Sequence, residues 1–206
     1  MKRAYQMIAP VALVLVSACS ILPKADPSDV YRLASTQAPQ TTHQATPVTW
    51  SLRVNKPQTS EFLDSPRIAV VPNGDLISSY AQSRWSDPTP VLLRNRFMDG
   101  FQRDGRVTLL STDDTNLQSD YELGGQLQAF QSEYRGSAVE VVIRLDARLV
   151  RGSDQRIIAS RRFEIHQPVS DTKVPAVVAG FGQAGDQLNK QVVDWVVQQG
   201  NAAVKP

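Results

Sequence analysis

From Val139 to Leu149 the chain alternates at a two-residue period. Val139, Val141, Ile143, Leu145, Ala147 and Leu149 fall on one side, and Glu140, Arg144, Asp146 and Arg148 on the other. Successive side chains of a strand point to opposite faces, so this segment must be a long strand with one packed face and one wetted face. Its neighbours have the same character. Residues 121–134 place Tyr121, Leu123, Leu127 and Ala129 on one face, and residues 156–166 follow the polar turn Arg151-Gly152-Ser153-Asp154-Gln155. One apolar and one polar face per strand is the signature of an antiparallel meander whose open side meets solvent.

Such a meander needs a cover, and the C-terminal segment is built as one. Between Pro175 and Gln199, Val177, Phe181, Ala184, Leu188, Val192 and Trp195 recur at steps of three and four, the stripe of an amphipathic helix. A second helix is expected after Asp87-Pro88, read as an N-cap carboxylate followed by proline in the first turn, with Leu93, Phe97 and Phe101 as its stripe and Gly105 as its stop. Short strands are expected at 30–33, 49–54, 67–72 and 107–110. The second carries Trp50, Leu52 and Val54 on one face, and the third is apolar at consecutive positions and so buried on both. Leu76 to Ser86 is a hairpin partner of the strand before it. The expected architecture is α+β: a single domain in which a mostly antiparallel sheet packs against two main helices.

The N-terminus is of another kind. Lys2 and Arg3 precede a twelve-residue apolar stretch, Met7 to Ala18, too short to span a bilayer. It ends in Val16-Ser17-Ala18-Cys19, which resembles the bacterial lipobox, and Cys19 is the only cysteine in the chain. The resemblance implies an export signal over residues 1–18, cleavage before Cys19, and lipidation of its thiol with acylation of the new amine. A signal with a chance cysteine, or a short core helix, is the competing reading. A lone thiol in an oxidising compartment has no disulfide partner within the chain, which favours lipidation. The residue after the cysteine biases sorting in such lipoproteins. Ser20 is not the aspartate that retains them, so the periplasmic face of the outer membrane is expected, with that of the inner membrane as the alternative. Residues 19–28 then form a lipidated tether, 29–200 the domain, and 201–206 a C-terminal tail. Within the domain, residues 38–47 are rich in Gln, Thr, Ala and Pro and read as a flexible loop.

Charge and chemistry exclude several classes of function. Loss of Lys2 and Arg3 with the signal reduces 22 basic residues to 20, level with the 20 acidic ones, and leaves no electrostatic footprint for nucleic acid. Gly180-Phe181-Gly182-Gln183-Ala184-Gly185 matches the dinucleotide fingerprint in letters, but it lies inside the C-terminal amphipathic stripe. The fingerprint requires a strand-to-helix turn, so these glycines are read as places of close packing. His43 and His166 are the two histidines, and no nucleophile elbow or clustered ligand set accompanies them. No catalytic residue, metal site or cofactor is expected. Asp113-Asp114 reads as turn chemistry. Arg144, Arg148, Arg161 and Arg162 read as a solvated outer face, or more sharply as a patch for anionic headgroups or an acidic partner.

The order of these features resembles a known family. A lipidated cysteine, Tyr31-Arg32-Leu33, the buried Ile68-Ala69-Val70-Val71-Pro72, Tyr80…Arg84-Trp85…Pro88 running into a helix, a meander ending in Phe163, and a last helix ending in Asp194-Trp195-Val196 follow the pattern of ABC-type transport auxiliary lipoproteins of the PqiC type. The loop at 38–47 and the glycines of the last helix depart from that pattern. The resemblance implies a non-enzymatic, periplasm-facing subunit of an MCE-type lipid transport system. Its partners would be an MCE-domain protein and the inner-membrane transporter, and a ring around an MCE tube would make a homo-oligomer sensible. An envelope-assembly lipoprotein without a transporter is the alternative, and a lipid hydrolase comes third. Tyr80, Arg84 and Trp85 combine residue types enriched at binding hot spots, and they lie between a buried strand and a helix start. They are the expected docking surface, with Trp85 as a core anchor the competing reading.

Overall fold

The computed structural model describes residues 27–36 and 46–204. Cys19, the signal segment, most of the tether, His43 and most of the 38–47 loop lie outside the described residues. In chain order the elements are β1 (Asp29–Tyr31), β2 (Leu52–Val54), β3 (Arg67–Asn73), β4 (Leu76–Trp85), α1 (Thr89–Asp104), β5 (Leu110–Thr112), β6 (Tyr121–Arg135), β7 (Ala138–Arg151), β8 (Ile157–Val169) and α2 (Val174–Val204).

The meander is the centre of the molecule. β6, β7 and β8 pair antiparallel in sequence order over nearly their whole lengths, with Leu127 opposite Leu145 and Leu145 opposite Phe163. The expected inward residues of β7 are all buried. Antiparallel pairing also joins β3 to β4. Short parallel ladders complete the sheet, β1 on β4, β2 on both β5 and β6, and β3 on β6. The α+β architecture is as expected, with the long ladders antiparallel and the added edges parallel.

The two helices lie across the apolar face. Val177, Phe181, Ala184, Leu188, Val192 and Trp195 of α2 are buried, as are Leu93, Phe97 and Phe101 of α1, and together with the inward strand residues they form one core. Phe130 and Phe181 stack with ring centroids 4.8 Å apart, and Trp195 meets Phe163 edge-on at 5.7 Å.

Four local expectations need correction. The N-cap of α1 is Pro88, with Pro90 inside the first turn and no side-chain cap; the Asp87 carboxylate instead accepts a hydrogen bond from the Ser86 hydroxyl. The short strand expected at 107–110 is displaced to β5, because Leu52 aligns with Leu110 across the parallel ladder. In β6 a bulge between Leu127 and Ala129 exchanges the faces, so that Phe130, not Ala129, joins the core. The last helix does not end at Gln199 but runs to Val204, through the first part of the expected tail. It is held there by Trp50, whose indole N–H donates to Asn201 at 3.0 Å while its ring lies over Gly200.

Candidate functional site

The three residues expected to dock a partner share one strand but not one environment. Trp85 ends β4 completely buried. Its backbone N–H donates to the Pro66 carbonyl at 2.7 Å, and its ring meets Phe181 edge-on at 5.2 Å and Phe130 at 6.1 Å. It is a core anchor, and the expectation that it faces a partner is corrected: α2 brings Phe181 over the site that sequence alone leaves open. Tyr80 is half-buried. Its hydroxyl meets the Ser132 hydroxyl at 2.9 Å, and burial pushes its pKa up to about 12. Arg84 is exposed, and among the described residues its guanidinium reaches the neighbouring Trp85 carbonyl at 3.4 Å.

The surroundings of these residues are irregular. β4 leaves regular register with β3 between Ser79 and Arg84, and Gln82 takes a left-handed conformation there, with φ of 52°. β1 covers only Ser83 to Trp85 on the other side of β4. From Leu76 to Gln82, the edge of β4 that faces away from β3 has no strand partner among the described residues. Such an edge carries backbone donors and acceptors able to pair with an added strand.

The N-terminal segment is fastened to the helices close by. After β1, the chain crosses α2 at Gly182, where an added Cβ would come within 2.8 Å of the Ala34 carbonyl oxygen. One turn on, the Asp186 carboxylate accepts hydrogen bonds from the Ser35 hydroxyl at 3.0 Å, the Thr36 backbone N–H at 2.8 Å and the Thr36 hydroxyl at 2.5 Å, and it pairs with Arg96 of α1. Gly180 packs against Val169 and Val141. The fingerprint glycines thus serve close packing within a continuous helix, and no phosphate-binding turn exists at them. Nothing in the sequence singles out Asp186, because Arg96 and Ser35 become its neighbours only through the fold.

Other charged groups are also paired. Asp113 and Asp114, read as turn residues, both approach the buried Arg94 of α1, at 2.8 and 3.1 Å. On the outer face of the meander Arg144 bonds Glu164 and Arg162 bonds Asp146, each at 2.6 Å. Glu164 is drawn down to about 2, chiefly by its hydrogen bond from Arg144 and then by His166. Arg161 departs from the expected outer face: it aligns with the inward Ala147, and its guanidinium lies over the Phe163 ring at 4.8 Å. Arg148 and Arg161 are both exposed with no ion pair among the described residues, whereas Arg144 and Arg162 are paired.

A cleft of about 590 Å³ opens at the opposite end of the sheet among Ser51, Arg53, Gln118, Asp120, Arg151 and Gln155. Its charges are used up locally. Ser51 donates to Asp120 through its backbone N–H and its hydroxyl, holding that carboxyl below the usual range, while Arg53 pairs with Glu122 and Arg151 with Asp154. His166 sits between Glu164 at 3.1 Å and Glu140 at 3.3 Å, with no hydroxyl or thiol bonded to it among the described residues. Those residues contain no group of His, Cys, Asp and Glu able to hold a metal, and no helix among them is long and apolar enough to cross a membrane.

Comparison with known proteins agrees with this geometry. A crystal structure of a protein from Xanthomonas campestris superimposes with a TM-score of 0.79 at 31% identity, covering 87% of this chain and all of that one. A second solved structure, of an uncharacterized protein, shares the fold with a TM-score of 0.62 at 15% identity, over 83% of this chain and 99% of the other. An uncharacterized protein of Bradyrhizobium diazoefficiens is 30% identical over 148 residues, 71% of this chain; the chain spans only 39% of that protein's length. Residues 31–193 match the profile of one family along most of the described domain. The chain belongs to the family of ABC-type transport auxiliary lipoprotein components.

Proposed function

We propose that this protein is a periplasm-facing lipoprotein subunit of an MCE-type ABC lipid transport system, anchored through Cys19. Its role is to dock the MCE-domain partner and the inner-membrane transporter behind it, supporting lipid traffic between the two membranes and envelope integrity. The observation that carries the docking role is the edge of β4 from Ser78 to Gln82, unpartnered among the described residues, with exposed Arg84 at its end and Tyr80 within it. An added strand gains backbone hydrogen bonds from such an edge and selectivity from the flanking side chains. Trp85 supports this edge from beneath. Membership in a transport-auxiliary lipoprotein family supports the reading.

The outer membrane is the proposed location, on the identity of Ser20, and a homo-oligomer around an MCE tube is the proposed assembly. A crosslinked pull-down from intact cells, with the bound proteins identified by mass, tests the role. Recovery of an MCE-domain protein and a permease is expected. Recovery of envelope-assembly proteins alone would favour the alternative of a lipoprotein not tied to a transporter.

A further inference from the structure

The outer half of the β3–β4 hairpin projects beyond the core. Ala69 and Val70 are buried, but the chain from Pro72 to Ser78 is exposed, turning through Gly74 with φ of 52°. Two large aliphatic side chains stand at this projection, Leu76 at 63% exposure and Ile77 at 38%. Adjacent residues of a strand point to opposite faces, so the pair makes an apolar tip rather than one wall of a groove.

The chain that leads to the anchor leaves β1 toward this same end. β1 runs parallel to β4 with Asp29 beside Ser83, so residues upstream of Asp29 depart in the direction in which β4 begins. Leu76 lies seven residues from Ser83, roughly 23 Å along a strand. Cys19 to Ser28 is ten residues and spans at most about 35 Å when extended. A membrane holding lipid on Cys19 is therefore within reach of the hairpin tip.

We propose that the β3–β4 hairpin is a membrane-contact element whose Leu76 and Ile77 enter the interfacial layer of the bilayer that anchors the chain. This rests on the lipoprotein reading of Cys19. The contact is apolar in origin. Arg135 pairs with Glu140 at 2.7 Å and Lys173 with Asp171 at 3.9 Å, so no net cationic surface draws the tip to anionic lipid. The tether restricts how far the domain can stray, and the hairpin sets which end faces the lipid. The exposed Leu109 and Ile157 lie at the other end of the sheet, beside the start of β6, and face away from that bilayer.

The uniqueness of Cys19 allows a direct test with the full-length, processed protein. Leu76→Cys and Ile77→Cys, with Leu109→Cys and Ile157→Cys as controls, are labelled with a polarity-sensitive thiol dye. They are then reconstituted into phosphatidylcholine–phosphatidylglycerol vesicles with and without doxyl-labelled lipid. Severalfold stronger quenching at 76 and 77 than at 109 and 157 is expected, and high salt should not relieve it. Quenching at 76 and 77 no greater than at the controls would overturn the proposal, whether the tip meets water or a protein partner instead. The unsubstituted protein separates the two levels of inference. Uptake of dye by its Cys19 would show a free thiol and overturn the lipoprotein reading together with the hairpin contact. Refusal of dye, with an unquenched tip, would remove the hairpin contact alone.

Discussion

Asp186 on α2 and Arg96 on α1 form an ion pair with both side chains almost withdrawn from solvent, 6% and 4% exposed. The pair ties the two helices together, and through Ser35 and Thr36 the same carboxylate ties down the segment that follows β1. Asp99, at 3.6 Å from Arg96, is half-exposed and cannot replace a buried carboxylate. Asp186→Asn is therefore expected to destabilise the domain by about 3–5 kcal/mol, because it leaves a buried guanidinium uncompensated. Urea denaturation measures this. Amide exchange at Thr36 should accelerate in the same variant, which a loss of helix packing alone would not single out.

Trp85→Ala should lower stability by about 3–5 kcal/mol, the range for emptying a buried aromatic site. Thermal melts and partner capture on the same variant show whether its effect on binding follows from its effect on folding. Capture that fails while the fold and its stability are intact would return Trp85 to the interface.

The Glu164 carboxyl should titrate near 2 in an NMR experiment, and Arg144→Ala should return it toward the ordinary glutamate range. The sign follows from the direction of the shift. A carboxylate held below its unfolded value stabilises the fold above that value, and the contribution disappears as the pH falls through about 2. Glu164 lies on the wetted face, so the effect on overall stability is screened and the titration itself is the readout.

The meander was legible because a two-residue period displays both faces of a strand in the letters themselves. Both helices were legible as stripes, Leu93–Phe97–Phe101 and Val177 to Trp195. Phe130 was not, since the bulge after Leu127 adds a residue that no period anticipates. Trp85 was undecided because its burial depends on Phe181, on a helix nearly a hundred residues away. Distance in sequence also hid Asp186, whose partners lie on two separate segments, the stretch after β1 and α1. Arg94 gave meaning to Asp113 and Asp114 only once α1 lay beside their loop. Features that repeat locally were readable, and features made by one residue meeting a distant one were not.

Cys19→Ala should abolish incorporation of a fatty-acid label, because no other thiol is present. Ser20→Asp should move the protein toward the inner membrane in density-gradient fractions. Label that persists on Cys19→Ala would end the lipoprotein account of the anchor, and an unchanged distribution of Ser20→Asp would remove the basis for the outer-membrane location.

The docking role of the β4 edge is tested most directly by photo-crosslinking in intact cells. A photoreactive residue is placed at Arg84, beside the free edge, or at Arg156, at the opposite end of the sheet. The account expects an adduct with an MCE-domain protein from position 84 and none from position 156. An MCE adduct from position 156 alone, or no MCE adduct from either position while the protein is correctly anchored, would contradict it.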